Sequence, residues 1–378
     1  MGYEGSGRLP LFFLSFSAQL TMDMIAMTAP LLALSLSASP FEIGLLATSR
    51  GIVYGILPFA MGHLSDRAER RSLLASSMSI YAIVAILFCL SKSPIELIAL
   101  RFFEGLAMAI FWPTIEPLFA EARDIDISKS LRGFNLSWGL GQIVGPFLGG
   151  ALITAFGGRS PFLLALLMAI VNLILISRLA PAKPALGVRE LGGSAKGGPP
   201  ISLVLTNAIL GAILSIFFAF FPAFGVRAGF SALEVGSLLL LFGITRLAFF
   251  HMAPSMRIGL EPRIGLVSLG LVLIHIDDRA AIYSGVVLTS AAASLIYSYS
   301  IERMLRAEEG RLGRMAGIFE GSLGIGFVLG PLLAGPFAGP RFSTAFVVAS
   351  LLGAILILAL ELHRRLGRWA TRPCSPSA

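Results

Sequence analysis

Charged side chains inside long apolar runs are the residues of this sequence with the clearest capacity for chemistry. Asp23 interrupts the run from Leu9 to Ala38, and Arg50 and Arg246 lie midway along two further runs. Arg101 and Glu104 fall three apart in a fourth run, which also holds Glu116, while Glu302 and Glu320 belong to two runs nearer the C-terminus. A charge at the centre of a bilayer costs about 2.5–3.5 kcal/mol on insertion scales, so such residues pair, face water, or serve ions and substrates. A carboxyl there can take up and release a proton as its access changes from one side to the other, and a guanidinium can hold an anion through its planar fork. Asp23 is the leading proton-site candidate, with Arg50 as the partner that proton or substrate would displace; the alternative is a static ion pair fixing the first segment against the second. Glu116 and Glu302 are further coupling candidates near segment ends, where reaching out to water is a serious alternative. His251, alone on its segment, reads as a packed, hydrogen-bonded residue rather than a switch.

The elements that must position these residues are helices in a membrane. The 378 residues are 56% hydrophobic and 13% charged, about half the charged fraction of a soluble domain. Many runs approach or exceed the roughly 20 apolar residues that cross a bilayer, and the short alternating strands of a transmembrane barrel are absent. Breaks in the apolar pattern place helices near 10–37, 41–63, 73–92, 95–121, 128–155, 160–179, 201–226, 231–256, 264–277, 280–303, 313–338 and 342–362. The Pro, Gly and Ala-rich stretch between the sixth and seventh reads as a linker. With both termini placed in the cytoplasm, 21 of the 29 lysines and arginines fall on that side, five on the other and three inside helices. That bias supports twelve spans with both ends inside, and it explains the net charge of +8 as topology, not nucleic-acid binding. Cys89 and Cys374 are too few and too far apart in character to imply a disulfide framework.

The chain repeats itself. Without gaps, Phe134–Gly150 and Phe319–Gly335 share eight of seventeen residues at an offset of 185, where chance would give roughly one or two. Gly141, Gly145 and Pro146 meet Gly326, Gly330 and Pro331, and Gly150 meets Gly335. Gly141, Gly145 and Gly149 form a four-residue stripe of the kind that lets membrane helices approach closely, and the prolines permit a bend. Both stripes are expected where two halves rock against one another. Weaker echoes link Glu116 with Glu302 at an offset of 186, and Arg50 and Pro58 with Arg246 and Pro254 at 196. The expected fold is therefore all-α: twelve transmembrane helices in two six-helix bundles related by a pseudo-two-fold axis along the membrane normal. The halves are 1–180 and 201–362, joined by a cytoplasmic linker at 181–200 and followed by a basic tail at 363–378.

Three motifs make the chain resemble the major facilitator superfamily over nearly its whole length. "GHLSDRAERR", from Gly62 to Arg71, resembles the loop motif between the second and third helices, with Glu69 in place of its second glycine. "RFFEGLAMA", Arg101–Ala109, resembles the fourth-helix motif with Glu104 for Gln, and "GQIVGPFLGG", Gly141–Gly150, the fifth-helix motif typical of antiporters. The resemblance implies that helices 1, 4, 7 and 10 line a central cavity while 3, 6, 9 and 12 support it. It implies a cytoplasmic latch between the halves built from Gly62, Asp66, Arg67, Arg70 and Arg71, engaged by Glu121 at the end of helix 4. It associates Arg101 and Glu104 with proton transfer, against a structural ion pair. Glu320 stands where the other half has Asn135, and this broken symmetry suggests a specialised role at the cytoplasmic gate.

These readings lead to a secondary transporter of the plasma membrane that works by alternating access, with proton-coupled efflux of small amphipathic molecules the first hypothesis. Uptake or exchange of an organic anion held by Arg50 and Arg246 is the second. "FFAFFP", Phe217–Pro222, with Phe111 and Trp112 could offer an aromatic surface to such a substrate, though core packing is the plainer reading. No zinc-ligand spacing, nucleophile elbow or phosphate-binding loop occurs, so neither an enzyme nor an ATP-driven pump is expected, and no cofactor or metal, with a membrane receptor or enzyme the remote alternative. The expected partners are a small-molecule substrate, protons and the lipid bilayer, with the chain as a monomer.

Overall fold

A computed structural model describes residues 8–65, 68–120, 127–179, 200–256, 258–276, 278–307 and 312–370. Asp66, Arg67, Glu121 and nearly all of the expected linker therefore lie outside the described residues. The first half comprises α1 (Arg8–Ser35), α2 (Pro40–Ser65), α3 (Arg70–Leu90), α4 (Pro94–Ala120), α5 (Ile127–Phe156) and α6 (Ser160–Ser177). The second comprises α7 (Ile201–Arg227), α8 (Ala232–Met252), α9 (Leu260–His275), α10 (Arg279–Ala307), α11 (Leu312–Ala334) and α12 (Thr344–Ala370). Among the described residues nine helices are long and apolar enough to cross a membrane. With 16 residues, α9 falls short of the roughly 20 a span needs, and it packs between α10 and α12.

The two halves are built alike. α1 packs on α5 as α7 packs on α11, α2 on α4 as α8 on α10, and α3 on α6 as α9 on α12. This gives two six-helix bundles related by a pseudo-two-fold axis. Successive helices alternate in direction, so α1 begins and α12 ends on one side, called here the terminal side; the opposite is the far side. α12 runs on to Ala370, into the stretch expected as the tail, and an i,i+4 pair between Glu361 and Arg365 at 2.8 Å lies along it.

Matching caps fix the starts of α2 and α8. Glu42 Oε2 accepts from Ser39 N at 2.7 Å while Ser39 Oγ accepts from Glu42 N at 3.3 Å. Ser231 and Glu234 repeat this capping box at 2.7 and 3.2 Å. The register of the two helices therefore repeats at an offset of 192, not 196. On that register Arg50 corresponds to Phe242, and Arg246 lies one helical turn nearer the terminal side than Arg50's counterpart.

The glycine stripes do not face the other half, which corrects the expectation for them. A Cβ at Gly141 would meet Phe16 O at 2.6 Å and Leu20 N at 2.7 Å, and Gly145 presses on Leu20 O, all on α1. Gly149 follows against Thr28 and Met24 of the same helix. Gly326 and Gly330 press in the same way on Ala208 and Ala212 of α7. Each stripe thus clamps its own half, through backbone contacts that no side chain could tolerate. The halves meet one turn round, through the prolines beside those glycines. A Cβ at Gly236 of α8 would lie 2.7 Å from Pro146 O, and one at Gly44 of α2 would lie 2.6 Å from Pro331 O. Gly150 abuts Ala232, and Gly335 lies against Phe41, at the far-side ends. Gly236→Val would drive a branched side chain into Pro146 and oppose this closure. Spin labels at the exposed far-side residues Phe156 and Phe337, one per half, should show a longer mean separation in that variant. An unchanged distance distribution would contradict the assignment of this contact.

The aromatic run of α7 is core. Phe217, Phe220, Phe221 and Phe224 are fully buried, with Phe217 stacked on Phe221 and on Phe242 of α8 at 4.8 Å each. Phe346 of α12 closes on Phe224 at 5.1 Å. These rings hold the second half together; Phe111 is buried as well, while Phe218 and Trp112 are half-buried.

Candidate functional site

The clamp of α5 on α1 lies at the turns that carry Asp23. Gly141 seats the backbone from Phe16 to Leu20, and Gly145 the backbone from Leu20 to Met24. Gln19 is buried there and its Nε2 donates to Asp23 Oδ2 at 2.5 Å. The carboxylate is half-buried and lies within electrostatic reach of both Arg50 and Arg246. On the register of the repeat the α7 counterpart of Asp23 is Ser215, whose hydroxyl donates to Ala212 O and Gly326 O. The acid is thus a feature of one half alone.

Helix α4 supplies the second acid. Glu104 is fully buried, its Oε2 taking a 2.5 Å hydrogen bond from Arg101 Nη1 and its Oε1 lying 3.9 Å from Arg50 Nε. Gly105, next in the chain, makes this possible. A Cβ at Gly105 would meet Arg50 O at 2.8 Å and Arg50 Cα at 3.3 Å, so only glycine lets α2 bring Arg50 onto Glu104. Arg101 is buried too, and Tyr81 of α3 lies within the field of all three charges. Arg50 is therefore shared between Glu104 and the field of Asp23, a wider arrangement than the expected Asp23–Arg50 pair.

The second half answers with Arg246. Its guanidinium lies 5.6 Å from the Phe250 ring and 5.9 Å from the Tyr297 ring, within reach of Asp23 and Glu320. Tyr297 of α10 donates its hydroxyl to Glu320 of α11 and packs edge-on against Phe250 and Phe319, at 5.3 and 4.9 Å. Asn135, the counterpart of Glu320, instead accepts from Trp138 Nε1 of its own helix. Glu116 of α4 is exposed and lies within the field of Glu320 across the junction of the halves.

Of the expected site residues, then, Asp23, Arg50, Arg101, Glu104, Arg246 and Glu320 form one assembly, three acids balanced by three arginines, with Glu116 at its edge. Glu302 is not part of it. Its exposed carboxylate is held by Arg306, four residues on, at 2.8 Å. Among the latch residues, Gly62 lies in the last turns of α2, Arg70 is buried, and Arg71 Nη2 donates to Ser177 O at 2.7 Å. Arg71 thus caps the C-terminal end of α6, where a cation meets the helix dipole favourably; its described contact is within its own half, not across to the other. His251 is exposed, not packed as expected, and no hydrogen bond of its side chain is seen among the described residues. Gln19, Tyr81 and Tyr297 are the members that charge alone did not single out. The Gly105 crossing was the available signal for Arg50, and an i−4 glutamine before Asp23 the signal for Gln19.

The charges come from α1, α2, α4, α8 and α11, with Tyr81 and Tyr297 added by α3 and α10, so that both halves converge on one place. Comparison with known proteins agrees with this two-half architecture. The chain is 30% identical over 148 residues to the 4-hydroxybenzoate transporter PcaK of Pseudomonas aeruginosa, covering 38% of this chain and 32% of that one. It is 28% identical over 182 residues to the multidrug resistance protein MdtG of Klebsiella pneumoniae, covering 47% and 44%. The matched stretch thus spans less than half the length of either relative. A crystal structure of a variant of the nucleoside transporter NupG superimposes with a TM-score of 0.77 at 14% identity, over 94% of this chain and 99% of that one. The family model described as Major Facilitator Superfamily matches residues 11–298. With that match across most of both bundles, the chain belongs to the major facilitator superfamily of membrane transporters.

Proposed function

We propose that this protein is a secondary active transporter of the plasma membrane that exports small amphipathic molecules in exchange for protons. The observation that carries the reading is the place of Asp23, on α1 of one half and in the fields of Arg50 from its own half and Arg246 from the other. An acid so placed can release these arginines when it gains a proton and recapture them when it loses it. Movement of Arg246 between Asp23 and Glu320 would then change how the halves attract one another. Contacts at the far side, with Glu116 and Glu320 exposed nearer the terminal side, fit a central space entered from the terminal side. We assign the terminal side to the cytoplasm on the 21-to-5 bias of basic residues. The multidrug relative fits an amphipathic cargo. In proteoliposomes, a cationic dye such as ethidium should move against its gradient only when a pH gradient is imposed; movement indifferent to that gradient would sink the proposal.

A second reading has its own observation. Arg50 and Arg246 both act on the position of Asp23, so a substrate carboxylate could replace that side chain between them. The 4-hydroxybenzoate relative fits this alternative. Arg50→Ala and Arg246→Ala would each abolish uptake of radiolabelled 4-hydroxybenzoate on this reading, while leaving part of any dye export. On the efflux reading that anion is not carried by the wild type at all.

A further inference from the structure

We propose that the groove between α7, α9, α10 and α12 at the terminal side is a binding site for an anionic phospholipid of the surrounding membrane. The groove encloses about 820 Å3 and lies away from the charge assembly between the halves. Tyr299 forms part of its wall and carries two guanidiniums, Arg303 at 4.7 Å and Arg263 at 5.1 Å from its ring. Arg263 is spent within the fold, donating to Ile258 O, Leu295 O and Met256 O. Arg303 is not: it is exposed, and among the described residues it has no carboxylate within ion-pair distance. Arg306 stands one turn on, paired among the described residues with the exposed Glu302, a pairing of small worth in water. The first turns of α7 and α9, at Pro200 and Gly259, border the same groove, and neither of these cap residues makes a side-chain capping bond. Glu261 in the first turn of α9 is the one further acid of the lining, and Glu302 is already engaged.

Below this polar mouth the wall is apolar, with Leu203, Leu260 and Leu360. Ile201 and Leu205 of α7, and Leu358 and Leu362 of α12, are exposed nearby. An arginine-lined mouth above an apolar wall, at the level where helices leave the bilayer, matches a phosphate headgroup with acyl chains below it. Basic pockets between membrane helices recognise anionic headgroups in this way, and the attraction adds with each arginine.

Native mass spectrometry of the purified full-length protein tests the assignment, with phosphatidylglycerol and phosphatidylcholine of identical acyl chains as probes. The wild type should retain phosphatidylglycerol in preference to phosphatidylcholine. The double variant Arg303→Gln/Arg306→Gln should retain it roughly tenfold less, while Arg303→Lys/Arg306→Lys and the control Arg365→Gln bind as the wild type does. Equal retention of the two lipids, or undiminished phosphatidylglycerol binding by the Gln variant, would overturn the proposal. So would displacement of bound phosphatidylglycerol by inorganic phosphate at equal concentration, since the site would then serve a free anion.

Discussion

Glu104→Gln should be the most destabilising single substitution in the charge assembly. It leaves Arg101, buried, and Arg50, largely buried, facing one another without the carboxylate that joins them. Removing one partner of a buried ion pair costs about 3–5 kcal/mol, because the remaining charge stays out of water. A clear fall in the melting temperature of the purified protein in detergent is the expected result. Adding Arg101→Gln to the variant removes the stranded charge and should recover part of the loss. A Glu104→Gln protein that melts with the wild type would show that water or lipid headgroups, not Glu104, satisfy these arginines.

Asp23→Asn should abolish the pH dependence of substrate affinity. If a cationic dye and a proton compete for the same carboxylate, dye affinity in the wild type falls as pH falls, by up to about tenfold per pH unit, the value for one exchanged proton. The asparagine variant keeps the size of the side chain and the approach of Gln19 but has no proton to exchange. Its dye affinity, measured by fluorescence titration between pH 6 and 8, should be flat. A variant that retains the wild-type slope would move the titrating group elsewhere in the assembly, with Glu320 the next candidate.

The helices of this protein were legible in its sequence because the bilayer demands long apolar runs, and every run is bounded by charges, Gly or Pro. The charged members of the site were legible for the same reason: each is costly where it stands. Their grouping was not. Arg50 reaches Glu104 because Gly105 admits the backbone of α2, and a pattern of single residues does not reveal which helix a glycine faces. Arg50 and Arg246 share an offset of 196, whereas Ser39, Glu42, Gly44 and Gly51 recur at 192 as Ser231, Glu234, Gly236 and Gly243, and the helices follow the second offset. Caps and close contacts fix register; charges do not. Glu302 is a similar case. Its likeness to Glu116 points to the centre, but Arg306, one turn away on the same face, is the partner it takes. The glycine stripes were rightly read as contact surfaces but assigned to the wrong neighbour, because small-residue spacing gives the closeness of an approach and not the identity of the helix approached.

Proton movement driven by substrate alone tests the central claim most directly. Proteoliposomes holding a pH-sensitive fluorophore, with no pH gradient imposed, would receive an inward gradient of a permanently charged amphipathic cation such as ethidium. Exchange through Asp23 predicts that protons leave the vesicle as the cation enters, so that the lumen becomes alkaline with wild-type protein and does not with Asp23→Asn. Entry of the cation with no change in luminal pH, or with acidification, would contradict the account.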